Sequence, residues 1–457
     1  MKKNYLYALF IIGITALVSC NDKDEVLSIE ANETDIALED ALLASSNNVG
    51  KAFYRMPDSD EFSKIPQDPK NPLTAAKVEL GKFLFHETGI AQIPTMNIGM
   101  NTYSCASCHH AKAGFQACMP QGIGEGGIGF GQIGESRVKD PAYPEKNLDT
   151  QPIRSPSAMN MAYQTIILWN GQFGGTHQNI GTEASWTEGT PKATNKLGFE
   201  GVETQAIAGR DVHRLMIDKI FMSNVGNYRQ MYTDAFDESS FNNPVELKTN
   251  GALAIAAYER SLLSNQSPFQ LWLQGDYNAM LEEEKKGAIL FFGKAKCASC
   301  HNGPSLANMD FHAIGMKDLT KGSYGNLQVY NVDETNVEHK GRGGFTNRPE
   351  DLYKFKVPQL YNLKDSPFYG HGASFTAIRD VIEYKNKAIP ENAKVSNSQL
   401  DPAFTALNLT SEEIDLLTSF IKNGLYDPNL ERYVPSSLPS GLGFPNNDMQ
   451  TRIDLGF

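Results

Sequence analysis

The sequence predicts a mainly α-helical fold made of two similar domains in tandem, with long irregular loops. The pattern Cys-x-x-Cys-His occurs twice, at 105–109 and 297–301. A helical segment precedes each copy, and another follows it further along the chain. The chain of 457 residues also exceeds what one hydrophobic core usually organises. Together these observations favour one domain per motif.

The repeated motif has the spacing of a covalent haem attachment site. Two thiols two residues apart can bond to the two vinyl groups of one porphyrin, and the adjacent imidazole then becomes the proximal iron ligand. A thiol pair for disulfide exchange or a four-cysteine zinc site shares this spacing, but neither explains a histidine after each pair. We therefore predict two covalently bound c-type haems, held by Cys105, Cys108 and His109, and by Cys297, Cys300 and His301.

The surrounding helices complete the layout of a small cytochrome c domain. Gly81 in the helical segment 77–85 is echoed by Gly287 before the second motif. Closing helices are predicted at Ala252–Leu263 and Ser411–Asn423. The chain thus resembles two cytochrome c-like domains, at 61–270 and 271–457, with a link around Ser264–Asn278.

The N-terminus has the pattern of an export signal. Two lysines, an apolar run and a small residue precede Cys20, which indicates a signal peptide over 1–20. Leu17-Val18-Ser19-Cys20 also resembles the lipobox of bacterial lipoproteins, so we expect a lipid anchor at Cys20. The polar stretch 21–60 is expected to be a tether with one short helix near Ile36–Leu43. The expected location is the periplasm or outer membrane of a Gram-negative bacterium.

Composition excludes some partners. The formal charge of −12 argues against nucleic acid, which needs a basic footprint. With five of the six cysteines assigned, Cys118 is expected to be a small buried residue. Seven glycines lie between Met119 and Gly134 without the Gly-Lys-Ser/Thr ending of a phosphate loop, so this glycine-rich loop is expected to be mobile backbone beside the first haem motif.

Further short motifs extend from about Pro72 to Leu425 and support a family resemblance. They are Arg154-Ser155-Pro156-Ser157, Trp169-Asn170-Gly171-Gln172-Phe173, Gln205-Ala206, Ala257-Tyr258-Glu259-Arg260-Ser261-Leu262, Gly293-Lys294-Ala295-Lys296-Cys297 and Phe355-Lys356-Val357-Pro358. With the two haem motifs, this region resembles the bacterial dihaem cytochrome c peroxidase and MauG family.

The resemblance implies different roles for the two haems. The iron of His109 would react with hydrogen peroxide, and the iron of His301 would receive electrons from a small cytochrome c or cupredoxin. Trp169 matches the tryptophan between the haems, although a buried core tryptophan is equally compatible. Asn170 and Gln172 replace the Asp and Arg usual in this motif, which weakens the match.

Breaking the O–O bond of peroxide needs a titratable group over the open iron face. The glutamate that follows Gln-Ala by about ten residues in the family is missing here. His213 is the candidate acid/base, Gln205 its orienting partner and Glu203 the reserve. The alternative for His213 is a helical histidine bonded to a neighbouring carbonyl.

Two further departures concern the iron ligands. Many family peroxidases block the first haem with a loop histidine, whereas this chain has none from Ala111 to Thr176. This favours an open first iron, as in MauG-like proteins, with Glu125 as a solvated carboxylate near the missing histidine. At the second iron the family's Met or Tyr ligand position is taken by Lys385, with Met316 as the other candidate. His371 is expected to lie beside this haem.

Three functions are consistent with these features. The first is a peroxidase that reduces hydrogen peroxide. The second is a MauG-like oxidase of a protein or small-molecule substrate, and the third is a tethered dihaem electron carrier. An interdomain calcium ion and a homodimer, both raised by the resemblance, are left open.

Overall fold

The computed structural model describes residues 30–324 and 327–457 and is largely helical. In chain order, the α-helices of this part are α1 Glu33–Ser45, α2 Lys51–Tyr54, α3 Ala75–His86, α4 Gly201–Val212, α5 Lys219–Asn224, α6 Tyr228–Ala235, α7 Glu238–Phe241, α8 Pro244–Ser261, α9 Pro268–Leu273, α10 Glu282–Phe292, α11 Arg342–Thr346, α12 Ile378–Lys387, α13 Ser411–Ser419 and α14 Met449–Leu455.

The strands of the described residues are short and form three antiparallel pairs. These pairs are β1 Gly127–Ile128 with β2 Val138–Lys139, β3 Phe311–His312 with β6 Phe355–Lys356, and β4 Gly322–Tyr324 with β5 Leu327–Val329. Irregular loops connect most elements, as the abundance of Gly, Pro, Asn and Thr predicts.

The two glycines that echo each other in the sequence have the same structural role. A Cβ on Gly81 would lie 1.9 Å from the carbonyl oxygen of Ala254, so α3 crosses α8 with backbones in contact. A Cβ on Gly287 would lie 2.1 Å from the carbonyl oxygen of Leu416, where α10 crosses α13. Only glycine permits such close approach. The predicted entry and closing helices are therefore present, and both halves contain the same glycine-dependent helix crossing.

Two large hydrophobic cores surround these crossings. The first joins α3, α4 and α8 and includes Leu84, Phe85 and Tyr258. The second joins α9, α10 and α13 and includes Trp272, Phe291 and Phe420. The predicted link around 264–278 therefore contains a buried helix, α9, because Phe269 and Trp272 fill the second core.

The short helix predicted near Ile36–Leu43 is present as α1, but it packs in the second core instead of lying in a tether. Leu38 and Leu42 of α1 are fully buried in the second core. Asp35 receives hydrogen bonds from Trp272 Nε1 and pairs with Lys285 Nζ, both at 2.7 Å. Acidic residues on the other face of α1 gave the segment its tether-like composition. Cys20 and the predicted signal peptide lie outside the described residues.

The chain ends in a segment that returns to the first half, residues 439–457, here called the C-terminal strap. The carbonyl oxygen of Pro445 accepts hydrogen bonds from the hydroxyls of Ser104 and Ser107, both at 3.2 Å. The amide of Asn447 donates to the carbonyl of Thr102 at 3.0 Å. The strap thus braces the first haem motif. Among the described residues, none of the helices has both the length and the apolar character required to cross a bilayer.

Candidate functional site

The first Cys-x-x-Cys-His motif forms a tight turn with its histidine fixed. Cys105–Ser107 is one turn of 3₁₀-helix. His109 Nδ1 donates to the carbonyl oxygen of Phe115 at 3.2 Å, which leaves Nε2 free as a ligand atom. Burial lowers the pKa of His109 to about 4, so the imidazole is neutral. Neutral imidazole is the form that binds iron.

The second motif repeats this geometry. Cys297–Ser299 is again a 3₁₀ turn, and His301 Nδ1 donates to the carbonyl oxygen of Leu306 at 3.0 Å. Burial lowers the pKa of His301 to about 4. His312 lies 3.4 Å from Cys300 Sγ through Nε2 and 2.6 Å from Asp401 Oδ2 through Nδ1, so it flanks the attachment site.

Both residue sets fit haem c. Each provides two unlinked cysteines and a neutral histidine whose outer nitrogen is free. The glycine-rich loop also lies directly against the first set, since a Cβ on Gly122 would lie 2.8 Å from Cys108 Sγ. Among the described residues, no cluster of three or more His, Cys, Asp or Glu side chains offers a further metal site.

The candidate acid/base, His213, caps the end of α4 and is held by a residue that the sequence analysis missed. Its Nδ1 lies 2.8 Å from Oδ2 of the buried Asp149. Burial opposes the charged forms of both groups, but their mutual attraction outweighs it. The pKa of His213 is therefore raised and that of Asp149 lowered. His213 is also close enough for its charge to depress the pKa of His109, after the larger effect of burial.

Gln205 lies on the same side of α4 as His213, with Gly209 between them. A Cβ on Gly209 would lie 3.0 Å from Gln205 Nε2 and 3.8 Å from His213 Cδ2. The residues follow the i, i+4, i+8 spacing of one helix face. The structure therefore brings the two predicted polar groups together on one face of α4, on either side of Gly209.

The glycine-rich loop is packed in place, so the expectation of mobile backbone is wrong. The buried Arg137 donates to the carbonyls of Ile123 and Gly124 at 2.6 and 2.8 Å. From the C-terminal strap, Asp448 accepts from the amide of Gly129, and Asp454 accepts from the amides of Phe130 and Gly131. Position 124 requires glycine for a steric reason, because a Cβ there would lie 2.5 Å from Asp149 Oδ2. The glycines allow close packing in this loop.

Two carboxylates considered in the sequence differ from expectation. Glu125 is fully buried rather than solvated, and it accepts hydrogen bonds from Thr95, Tyr143 and Arg214. Glu203, the reserve acid/base, is bound at 2.7 Å through both oxygens by Arg260. Each of these buried carboxylates is therefore paired with an arginine. Cys118 is buried, as predicted.

Trp169 lies where the two halves meet. Its Nε1 donates to the carbonyl oxygen of Arg154 at 2.8 Å, and its own carbonyl accepts from the amide of Lys356 at 2.8 Å. Its ring meets that of His371 edge-on at 6.2 Å between centroids. His371 in turn stacks on Phe355 at 3.7 Å. Aromatic groups therefore form a continuous connection beside β6.

Lys385 points towards the second haem motif. Its charge affects the pKa values of Cys297 and His301, although burial has the larger effect on both. Burial lowers the pKa of Lys385 itself, and its Nζ lies 5.1 Å from the ring centre of Phe404. Among the described residues, no side chain pairs with this ammonium group. Met316 packs nearby, with its Sδ 3.2 Å from the place of a Cβ on Gly370.

The sequence offered few signals for several residues of the site. Asp149 lies in a loop without a periodic pattern, and its partner is 64 positions away. The aspartates of the C-terminal strap are equally remote from the loop they bind. Glu259 belongs to the motif Ala257–Leu262, and nothing in that motif predicted that its side chain is buried.

Comparison with known proteins agrees with this site. Residues 75–278 match the family described as di-haem cytochrome c peroxidase. The chain is 25% identical over 342 residues to the methylamine utilization protein MauG of Methylorubrum extorquens. The aligned region covers 73% of this chain and 74% of that protein. It is 26% identical over 405 residues to the cytochrome-c peroxidase IdrP1 of Denitromonas iodatirespirans. This second aligned region covers 85% of this chain and 91% of that protein.

A solved structure shares the fold. The crystal structure of a MauG-like protein associated with microbial copper homeostasis matches 82% of this chain and 95% of its own, with a TM-score of 0.53 and 21% identity. The fold and the two motifs define a protein with two covalently attached haems. The chain is similar to bacterial dihaem cytochrome c peroxidases and MauG proteins, and the family match covers its first haem motif.

Proposed function

We propose that this protein is a dihaem peroxidase that reduces hydrogen peroxide to water with electrons from a small cytochrome c or cupredoxin. The observation that carries the proposal is the pair formed by His213 and Asp149, close to His109 and beside Gln205. Such a group over an open iron is what cleavage of the O–O bond requires. The two halves would act as cytochrome c-like domains, with the first haem as the peroxide site.

In this proposal, the side chains of α4 manage the protons. The bound haem supplies the iron that holds peroxide and delivers electrons. His213 Nε2 takes the proton from one peroxide oxygen and returns it to the other, which leaves as water. Asp149 fixes the ring and stabilises the imidazolium while it holds the proton. One peroxide consumes two electrons and two protons, and it yields two waters.

The second half would receive the electrons. We propose that His301 and Lys385 would hold its iron, because the charge of Lys385 acts on the motif, its pKa is lowered, and it makes no hydrogen bond or ion pair with a described side chain. Met316 is the other candidate. Trp169 and His371 would carry electrons between the halves. Export and lipidation at Cys20 would place the enzyme at the periplasmic side of a membrane.

A MauG-like oxidation of a protein or small-molecule substrate is the second candidate. The observation that favours it is the absence of a histidine from 111 to 176. The buried interactions of Glu125 would also keep that carboxylate away from the first iron. Product analysis after peroxide addition, with and without a reduced donor protein, separates the two candidates.

The acid/base assignment predicts specific kinetics. His213→Gln should lower kcat/KM for peroxide by about 10²–10⁴-fold, the usual contribution of a positioned acid/base. Asp149→Asn should shift the acidic limb of the pH profile to lower pH, because Asp149 raises the pKa of His213. Steady-state oxidation of a reduced donor cytochrome measures both effects. His177→Gln, at an exposed histidine, is the matched control and should change neither. Equal losses in both histidine variants would contradict the assignment.

A further inference from the structure

The loop that carries Trp169 has a constrained backbone. Leu168 has a φ of +70°, and Gly171 a φ of +64°. The amide of Gly171 donates to the carbonyl of Leu168 at 3.1 Å, and Ile167 pairs with Phe173. A Cβ on Gly171 would lie 2.5 Å from Phe311 Cζ, so this turn is pressed against β3 of the second half. Loops of this kind need outside contacts to hold one conformation.

A buried arginine from the second half supplies those contacts. Arg342 Nη1 donates to the carbonyl oxygens of Gly171 and Asn170 at 3.0 and 3.3 Å, and Nη2 donates to the carbonyl oxygen of Gln178 at 3.0 Å. The guanidinium also stacks on Phe311 and Phe345 at 4.6 and 5.0 Å. The side chain is 5% exposed.

This arrangement is unusual for a buried cation. Among the described residues, no carboxylate lies within ion-pair distance of Arg342, so its hydrogen bonds go to backbone oxygens. Hydrogen bonds from a charged donor to carbonyls in a dry site are strong and directional. The planar fork of arginine can bind several carbonyls at once, whereas a lysine ammonium acts as a point charge. The guanidinium of Arg342 thus directs its hydrogen bonds to the Trp169 loop.

We propose that Arg342 is a positioning residue for Trp169, whose loop it binds through three carbonyl oxygens so that the indole stays between the two halves. The role in electron transfer rests on the proposed function, whereas the effect on the loop does not. A hard metal ion held by carbonyl oxygens would provide the same kind of tie. Arg342 provides this tie from the second half of the chain.

Two measurements on the haem-loaded protein test the proposal. In Arg342→Met, the amides of Ile167 and Gly171 should exchange with deuterium about tenfold faster or more, because the loop loses its outside contacts. After peroxide is added to the reduced protein, oxidation of the second haem should slow by about 10–100-fold, the scale of loss for a misplaced group. The reaction at the first haem should stay within about twofold.

The controls separate positioning from folding. Arg342→Lys keeps the charge and should give an intermediate effect. Arg348→Met removes an exposed arginine that also donates to a carbonyl, that of Gly181, and should change neither measurement. Unchanged loop exchange in Arg342→Met would overturn the proposal, and so would loosening of the wild-type loop by a chelator. If the wild type fails to react with peroxide, the proposed function fails, while the exchange experiment still decides the role of Arg342.

Discussion

At the residue scale, the hydrogen-bond partners of a side chain decide which of its polar atoms remain available. Glu203 and Glu125 are both buried carboxylates, yet arginines bind each of them. His213 is paired as well, but its partner binds Nδ1 and leaves Nε2 available. The distinction could not be read from the sequence, because the partners are distant in the chain. The sequence pointed to His213 from residue type and helical position, and its acid/base role stays a prediction.

Glu259 is a buried acid without a hydrogen-bond partner for its Oε2 among the described residues. Burial, together with the charge of Glu203, raises its pKa from 4.5 to about 8. The folded state therefore favours the protonated acid. This contribution to stability is complete below the unfolded pKa and is lost progressively as the pH rises towards 8.

Replacing this acid by its neutral isostere should remove that pH dependence. Glu259→Gln should stabilise the protein by about 2–4 kcal/mol at pH 8.5 and by much less at pH 5, since each pKa unit corresponds to about 1.4 kcal/mol. Urea denaturation at the two pH values measures the difference. Glu350→Gln, at an exposed position, is the control and should show no such dependence. Equal effects at both pH values would contradict the protonated state of Glu259.

At the element scale, helical periodicity predicted the helices well. The segments around Gly81 and Gly287, and the two closing helices, are present as α3, α10, α8 and α13. Composition was a poorer guide. It placed α1 in a tether, although Leu38 and Leu42 of this helix are fully buried in the second core, and it treated the glycines of 122–134 as a sign of motion. In both cases the sequence did not show which part of the chain packs against the segment: the second core against α1, and the C-terminal strap against the glycine-rich loop.

We expect Gly209 of α4 to serve function rather than stability, because it lies between Gln205 and His213. A glycine within a helix costs about 1 kcal/mol relative to alanine. Gly209→Ala should therefore keep or raise the melting temperature, while its new methyl group crowds Gln205 and His213. We expect slower reaction with peroxide and weaker cyanide binding at the first haem, measured by stopped-flow absorbance. Ser223→Ala, at an exposed position of α5, should leave both unchanged. Unaltered ligand binding in Gly209→Ala would show that the face of α4 with Gln205 and His213 does not adjoin the first iron.

At the scale of the whole molecule, the two halves are joined by segments that cross between them. Helix α1 precedes the first half in sequence but packs in the second core. The C-terminal strap follows the second half but binds the first haem motif and the glycine-rich loop. Arg342 and β6, both from the second half, bind the loop of Trp169 in the first half. Motif spacing predicted the two haem sites, but these crossings depend on tertiary contacts that no local pattern records.

In the proposed function, an open first iron reacts with peroxide and draws electrons from the second. The most direct test mixes the fully reduced, haem-loaded protein with one equivalent of hydrogen peroxide and follows the absorbance by stopped flow. We expect rapid loss of both reduced haem bands, because each haem supplies one of the two electrons. Persistence of both bands would contradict it and would favour a tethered electron carrier.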